Sequence, residues 1–309
     1  MKISKPKYWN NRSLISIILL PISTIFEIFV FLRSKFIKPR SFNIPIICVG
    51  NIYVGGTGKT PTSLFLANKL KKKGKNPVIV RKFYKDHRDE YELIKKYFSG
   101  FLTNKKRSVA IEESIIKGYD SVILDDGMQD YKIKKNLIMV CFNQNQMIGN
   151  GFVFPSGPLR ENLKALTKAE IVLLNGKKNI QFEELILNVN KNLKIFYSNY
   201  KPLNLDIFKK KDLCVVSGIG NPENFIQLLK SHELKISREF NFPDHYDFKK
   251  DELLNIIDYA KNNNLQVITT EKDFYRLKKY NLEEIDYLRV ELTIDQEDLL
   301  LESLLHIYD

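Results

Sequence analysis

The sequence predicts an α/β protein with a parallel-sheet core, a second and smaller α/β domain, and a hydrophobic helix at the N-terminus. Three observations carry this reading. From Ile44 onward, short apolar runs alternate with stretches of helical periodicity. The runs are apolar throughout rather than at every second residue, as expected of parallel strands covered on both faces. Residues 13–32 are mostly Leu, Ile, Phe and Val.

As one helix, Ser13 to Leu32 would span ~30 Å, about the hydrocarbon thickness of a bilayer. Pro21 and Glu27 interrupt its apolar character, and Ser13, Ser16, Ser23, Thr24 and Glu27 recur at helical spacing as one narrow polar stripe. Basic residues flank it: Lys2, Lys5, Lys7 and Arg12 before, Arg33, Lys35, Lys38 and Arg40 after. The stretch ends in Arg33-Ser34-Lys35 without a small-residue cleavage site, which argues against a signal peptide. A helix lying in the interface of an anionic membrane fits best, with a buried helix of the protein body as the alternative. Residues 1–40 are assigned to this segment.

Residues 41–200 read as the main domain. Ile44–Val49 is a strand, Thr60–Lys73 a helix closed by Gly74, Pro77–Val80 a strand and Glu90–Phe98 a helix. Ser121–Leu124, Leu137–Phe142 and Glu170–Leu174 are further strands. Residues 201–309 form the smaller α/β domain, with strands at Leu213–Val216 and Gln266–Ile268 and a helix at Leu253–Lys261. Asn221 and Pro222 form a cap and first-position pair for another helix, and Thr270 caps a third. The stretch from about Lys177 to Lys211, rich in Asn and Lys, reads as the joining region.

A hydrophobic fraction of 44% and a charged fraction of 28% describe a globular chain. The formal charge of +13 calls for an anionic partner. The chain lacks a recognisable nucleic-acid motif, so anionic lipid is the expected surface. No obligate protein partner is evident. Cys48, Cys141 and Cys214 sit in apolar strand-like runs without metal-ligand spacing, as core residues of a protein in a reducing compartment do.

The sharpest local signal is the run Tyr53-Val54-Gly55-Gly56-Thr57-Gly58-Lys59-Thr60, between a strand and an amphipathic helix. Glycines let backbone N–H groups wrap phosphate oxygens, and the helix N-terminus adds a favourable dipole. Lys59 would reach the β- and γ-phosphates of ATP, and the Thr60 hydroxyl would bind Mg²⁺. Tyr53 stands where the usual pattern has its first glycine. The fold class is therefore P-loop NTPase-like. A second acid must help to hold the metal, and the apolar strand Ser121–Leu124 runs into Asp125 and Asp126, at the end where parallel sheets collect ligands.

Several colinear runs resemble one family along nearly the whole chain: Val49-Gly50-Asn51, Gly55 to Pro61, Asp125-Asp126-Gly127-Met128-Gln129 and Gly149-Asn150-Gly151. Pro155 to Glu161, Gly218 to Pro222, Asp244-His245 and Thr270-Glu271-Lys272-Asp273 continue the series. Together they resemble the tetraacyldisaccharide 4'-kinases. The resemblance implies transfer of the ATP γ-phosphate to the 4'-hydroxyl of a tetraacylated glucosamine disaccharide 1-phosphate in lipid A biosynthesis. It also implies a place at the cytoplasmic face of the inner membrane, held by the N-terminal helix. It implies a catalytic pair of Asp89 with His245, drawn from two domains that close over the substrates. Arg81, Gln129 and Arg160 are candidate substrate contacts.

Two departures stand out. The family's Ser-Arg-Gly-Tyr-Gly type segment is here Val80-Arg81-Lys82-Phe83-Tyr84-Lys85, without the glycines, and Asp130 replaces a usual His. The competing readings are a membrane-associated P-loop ATPase or GTPase and a non-catalytic nucleotide-binding scaffold. Glu271 and Lys272 could be plain helix-terminal charges.

Overall fold

A computed structural model describes residues 5–85 and 87–308. In chain order, helix α1 (Leu14–Ile18) and helix α2 (Leu20–Phe36) precede strand β1 (Ile46–Gly50). Helix α3 (Lys59–Lys72), strand β2 (Pro77–Lys82), helix α4 (Arg88–Tyr97), strand β3 (Phe101–Asn104) and helix α5 (Arg107–Ile116) follow. Then come β4 (Ser121–Asp125), β5 (Leu137–Asn143), β6 (Ile171–Asn175), α6 (Ile180–Leu187) and β7 (Lys194–Pro202). The remainder is β8 (Asp212–Ser217), α7 (Pro222–Ser231), β9 (Ile236–Asn241), α8 (Lys250–Asn262), β10 (Leu265–Thr270), α9 (Glu271–Leu277), β11 (Ile285–Leu288), β12 (Val290–Ile294) and α10 (Glu297–Leu305).

Eight strands form one sheet in the order β12-β7-β6-β5-β1-β4-β2-β3, and four form another in the order β11-β10-β8-β9. The pairings of β1 with β4 and β5, of β2 with β3 and β4, and of β6 with β5 and β7 are parallel. So are those of β8 and β10 in the smaller sheet. Strands β1 and β4 are buried at every residue, which explains why their sequences carry no polar alternation. The core under the larger sheet gathers Ile46, Cys48, Val80, Leu124, Phe142 and Leu174. All three cysteines are buried and free.

The chain divides into two compact units. The larger comprises Lys5–Phe83, Phe98–Asn199 and the residues from Ile294 on; the smaller comprises Tyr84–Tyr97 and Tyr200–Thr293. Two segments cross the boundary drawn at 200 from the sequence. The helix carrying Asp89 groups with the C-terminal unit, and the C-terminal helix α10 with the larger one. The stretch read as a joining region holds α6 and β7 instead. Asn179 and Asn188 cap α6, and Lys194, Asn199 and Lys201 are side chains of the half-exposed β7.

The N-terminal apolar run is two helices, not one. Leu19 ends α1, and Pro21 sits in the first turn of α2, where a missing N–H costs nothing. No helix among the described residues is long and apolar enough to cross a membrane. The polar stripe turns towards the body of the larger unit. Ser16 and Ser23 are buried, the Ser23 hydroxyl donates to the Val153 carbonyl at 2.9 Å, and Asn162 donates to Glu27 at 2.9 Å. The apolar face is left outward, with Leu14 79%, Ile25 69% and Phe36 81% exposed.

Candidate active site

The glycine loop begins where β1 ends. Gly50 lies so close to Met128 that a Cβ there would fall 2.5 Å from the Met128 Cβ. Asn51 then shapes the loop from inside, its amide donating to Tyr53 O at 2.7 Å, Gly55 O at 3.3 Å and Thr57 Oγ1 at 3.0 Å. Gly58 takes φ +88° just before α3, a conformation that costs other residues about 1 kcal/mol or more. Lys59 and Thr60 therefore open the helix, beside backbone N–H groups that have no partner within it. A loop segment bridged to the glycine loop's far side, through Val54 N to Pro158 O at 2.8 Å and Arg160 N to Ile52 O at 2.7 Å, carries Arg160 into the same place.

Sheet register delivers the acids. Asp125 pairs in register with Val49 on one side and with Arg81 on the other, so three strand ends meet at one level. The Thr60 hydroxyl donates to Asp125 Oδ2 at 2.9 Å, and Arg81 Nη1 donates to Thr60 Oγ1 at 2.8 Å and also to Asp125 Oδ2. Asp125 is fully buried, and its Oδ1 has no hydrogen-bond partner among the described residues. A buried orphan carboxylate oxygen beside a hydroxyl is the donor set of a hard divalent cation, so these residues fit Mg²⁺. Arg81, a candidate substrate contact, bridges Thr60 and Asp125.

Asp126 does something different from its neighbour. With φ +57° its carboxylate turns to Lys59, at 3.6 Å, and to Arg160, at 2.9 Å. Burial pushes its pKa up, but Lys59 and Arg160 outweigh this and hold it below the ordinary carboxylate value. Burial lowers the pKa of Lys59, an effect that Asp126 offsets only in part. An incoming phosphate would supply the missing negative charge. Arg160 is thus paired with Asp126 rather than with Glu161. Gln129 donates to Asn51 O at 3.0 Å and to Glu161 Oε1 at 2.9 Å, which makes it a brace of the loop. Asp130 pairs with Arg107 at 3.3 Å, and Arg107 also donates to the Asp126 carbonyl. The acid in place of a His is therefore neutralised locally.

The second constellation lies wholly in the smaller unit. Asp89 sits in the first turn of α4, and His245 follows β9 with φ +56°, its N–H donating to Gly218 O at 3.1 Å. A non-glycine residue held there stores about 1–3 kcal/mol, a cost met elsewhere in the fold. His245 Nδ1 lies 3.6 Å from Asp89 Oδ2, in ion-pair range but beyond a hydrogen bond. Arg276 donates to that same oxygen from Nε at 2.9 Å and from Nη2 at 2.7 Å. Asp89 Oδ1 is buried and has no hydrogen-bond partner among the described residues. Burial pushes the Asp89 pKa up, but His245, Lys272 and Arg276 together hold it below the ordinary carboxylate value. Both residues of the pair belong to one unit rather than to two. Glu90, His87 and His245 bring ligand atoms within 4.8 Å of one another. The Lys272 ammonium, 3.0 Å from Glu90 and 3.3 Å from His245 Nε2, already supplies the positive charge there. Glu271 and Lys272 are more than terminal charges: Glu271 is buried and accepts from Tyr97 at 2.6 Å and Lys96 at 2.8 Å.

A central parallel strand that runs into a glycine loop, a Lys-Thr pair opening the next helix and a carboxylate on the neighbouring strand define a P-loop phosphotransferase. Comparison with known proteins narrows this class. The family model LpxK, tetraacyldisaccharide-1-P 4'-kinase, matches residues 15–100 and 89–308. The chain belongs to this family. A tetraacyldisaccharide 4'-kinase from Pelagibacter ubique (strain HTCC1062) is 42% identical over 313 residues, covering 99% of this chain and 98% of that protein. One from Rickettsia akari (strain Hartford) is 34% identical, covering 98% and 97%. A crystal structure of LpxK from Aquifex aeolicus in complex with ATP has the same fold, with a TM-score of 0.72 at 23% identity, covering 96% of this chain and all (100%) of that one.

The sequence alone does not single out Asn51, Arg107 or Arg276, and it offers Lys272 only as a helix-terminal charge. Asn51 and Lys272 stand inside motifs that were noticed, and Arg276 lies four residues after Lys272 on the same helix face.

Proposed function

We propose that this protein transfers the γ-phosphate of ATP to the 4'-hydroxyl of a tetraacylated glucosamine disaccharide 1-phosphate, a step of lipid A synthesis. The glycine loop from Tyr53 to Thr60 binds the triphosphate, with Lys59 and Arg160 meeting its terminal charge. Thr60 and Asp125 hold Mg²⁺, which when bound neutralises charge on the phosphate oxygens. Asp126 keeps Lys59 and Arg160 in place.

The sugar hydroxyl is a weak nucleophile, and Asp89 accepts its proton as the phosphoryl group is transferred. The observation that carries this role is the buried and unpartnered Asp89 Oδ1 beside an oxygen that is already committed. A buried acceptor without a donor is costly, and a substrate hydroxyl relieves that cost. His245 supports the carboxylate from the side of Oδ2.

The protein meets its lipid substrate at a membrane surface. The outward apolar face of α1 and α2 lies in the interface, and Arg33, Lys35 and Lys38 engage anionic headgroups, at the cytoplasmic face of the inner membrane.

The test uses purified full-length protein in mixed micelles with Mg²⁺-ATP and the disaccharide 1-phosphate. Label from γ-³²P-ATP is expected to enter the lipid, and Asp89→Ala is expected to slow this about 10²- to 10⁴-fold while leaving ATP binding intact. Unimpaired transfer by Asp89→Ala would remove the base from this reading, and nucleotide binding without transfer in the wild type would leave a scaffold.

A further inference from the structure

Helix α9 turns two cations onto the Asp89–His245 pair. Lys272 and Arg276 are four residues apart, so they share one helix face, and both side chains are largely buried. Arg276 makes four donor contacts: two to Asp89 Oδ2, one to Gly218 O at 2.8 Å and one to Asp273 Oδ1 at 2.8 Å. Asp273 is fully buried and anchored in turn by Gly218 N at 2.8 Å and Thr270 Oγ1 at 2.9 Å. The guanidinium is therefore fixed before any substrate arrives, and it occupies one carboxylate oxygen of Asp89 while leaving the other, buried, without a hydrogen bond among the described residues.

Lys272 acts on the imidazole. Its ammonium lies 3.3 Å from His245 Nε2, 3.0 Å from Glu90 Oε1 and 3.5 Å from Asp244 Oδ1. An ammonium has hydrogens to give and no lone pair to receive one, so Nε2 must be the accepting nitrogen. The ring proton then sits on Nδ1, the nitrogen facing Asp89. Arg276 Nη2, 3.5 Å from Nδ1, is committed to Asp89 at 2.7 Å. Among the described residues, the other ionisable groups facing the pair are Glu90 and Asp244, each 3.8 Å from Nε2, and His87, whose ring lies against that of His245 at 4.3 Å between centroids.

We infer that Lys272 and Arg276 are positioning residues of the proposed phosphoryl transfer: Arg276 holds Asp89 with one oxygen free, and Lys272 fixes His245 as the Nδ1–H tautomer. The inference rests on the assignment of Asp89 and His245 as the proton-accepting pair. It assigns α9 the role of a rigid template rather than of a substrate-binding helix.

Removing Arg276 strips Asp89 of its main partner, so the carboxyl titrates higher. The form that accepts a proton is ionised Asp89, and it is lost as pH falls through its pKa. In Arg276→Ala the acid limb of kcat should therefore move up by about one pH unit or more. Its kcat should fall about 100-fold with the KM for ATP unchanged, Arg276→Lys should recover part of the loss, and added guanidinium should restore activity to the alanine variant. An acid limb that stays where the wild type has it, without guanidinium rescue, would mean that Arg276 only stabilises the fold. The tautomer is read without any turnover, by ¹⁵N NMR of histidine-labelled protein, in which Lys272→Met should shift the His245 signals from the Nδ1–H pattern to a mixed one, with His245→Gln giving the assignment. An Nε2–H pattern in the wild type would overturn the role of Lys272. Because the NMR measurement needs no substrate, it separates failure of this inference from failure of the proposed reaction.

Discussion

Asp125 and Asp126 are chain neighbours of the same chemistry, yet the backbone gives them separate work. Asp125 ends β4 and points into the sheet's end, where Thr60 meets it. Asp126 takes a positive φ and swings to Lys59 and Arg160. Its folded-state pKa lies below the ordinary 3.8, so its ion pairs contribute fully at neutral pH. That contribution is lost as pH falls through the carboxylate range and below. Asp126→Asn is therefore expected to cost about 1–3 kcal/mol at neutral pH, and the gap should begin to narrow as pH falls below the ordinary carboxylate value, closing only below the depressed folded-state pKa. Denaturant unfolding across this pH range measures this, and a gap that is independent of pH would contradict the ion-pair account.

At the scale of elements, legibility followed how local each signal was. The strands legible in the larger sheet, β1, β2, β4, β5 and β6, each carry a run of buried apolar residues, as does β8 in the smaller one. Those that were missed lie at or beside sheet edges: β7 reads Lys-Ile-Phe-Tyr-Ser-Asn-Tyr-Lys-Pro, and β9 is exposed at most positions. Their alternation with polar residues looked like loop. The glycine loop was legible because eight successive residues carry it. The partners of Asp89 were not, since Arg276 stands 187 residues further on and only the fold joins them. The periodic serines of the N-terminal run showed a polar stripe, but whether it faced water or protein depended on Val153, Ser156 and Asn162. Because that stripe is anchored, the apolar face is free for lipid. Ile25→Glu and Phe29→Glu, at sites 69% and 62% exposed, should leave folding nearly unchanged. Each should weaken vesicle binding more than tenfold, from ~1.5–3 kcal/mol of lost apolar burial. Co-sedimentation with vesicles checks it, and unchanged partitioning would detach the membrane role from α2.

For the whole molecule, two parallel sheets repeat one device. In the larger unit the ends of β1, β4 and β2 collect Gly50, Asp125 and Arg81; in the smaller, the ends of β8 and β10 collect Gly218 and Thr270 beside Asp273. Each unit thus builds its chemistry where strand ends leave backbone groups free. The charge of +13 acts over the entire surface. Binding to vesicles of anionic lipid should exceed binding to zwitterionic vesicles and should fall as salt shortens the Debye length from ~10 Å at 0.1 M towards ~3 Å at 1 M. Equal binding to both would place attachment in the apolar face alone.

In the proposed reaction the loop at Gly55–Thr60 binds ATP and the carboxylate of Asp89 takes the proton of the sugar hydroxyl. ³¹P NMR of the lipid recovered after incubation with Mg²⁺-ATP tests it most directly. The account predicts a second phosphomonoester signal, assigned to the 4' position, that grows with wild-type protein and fails to appear with Asp89→Ala although that variant still binds ATP. A second phosphate at another position, or one that forms equally well without Asp89, would contradict it.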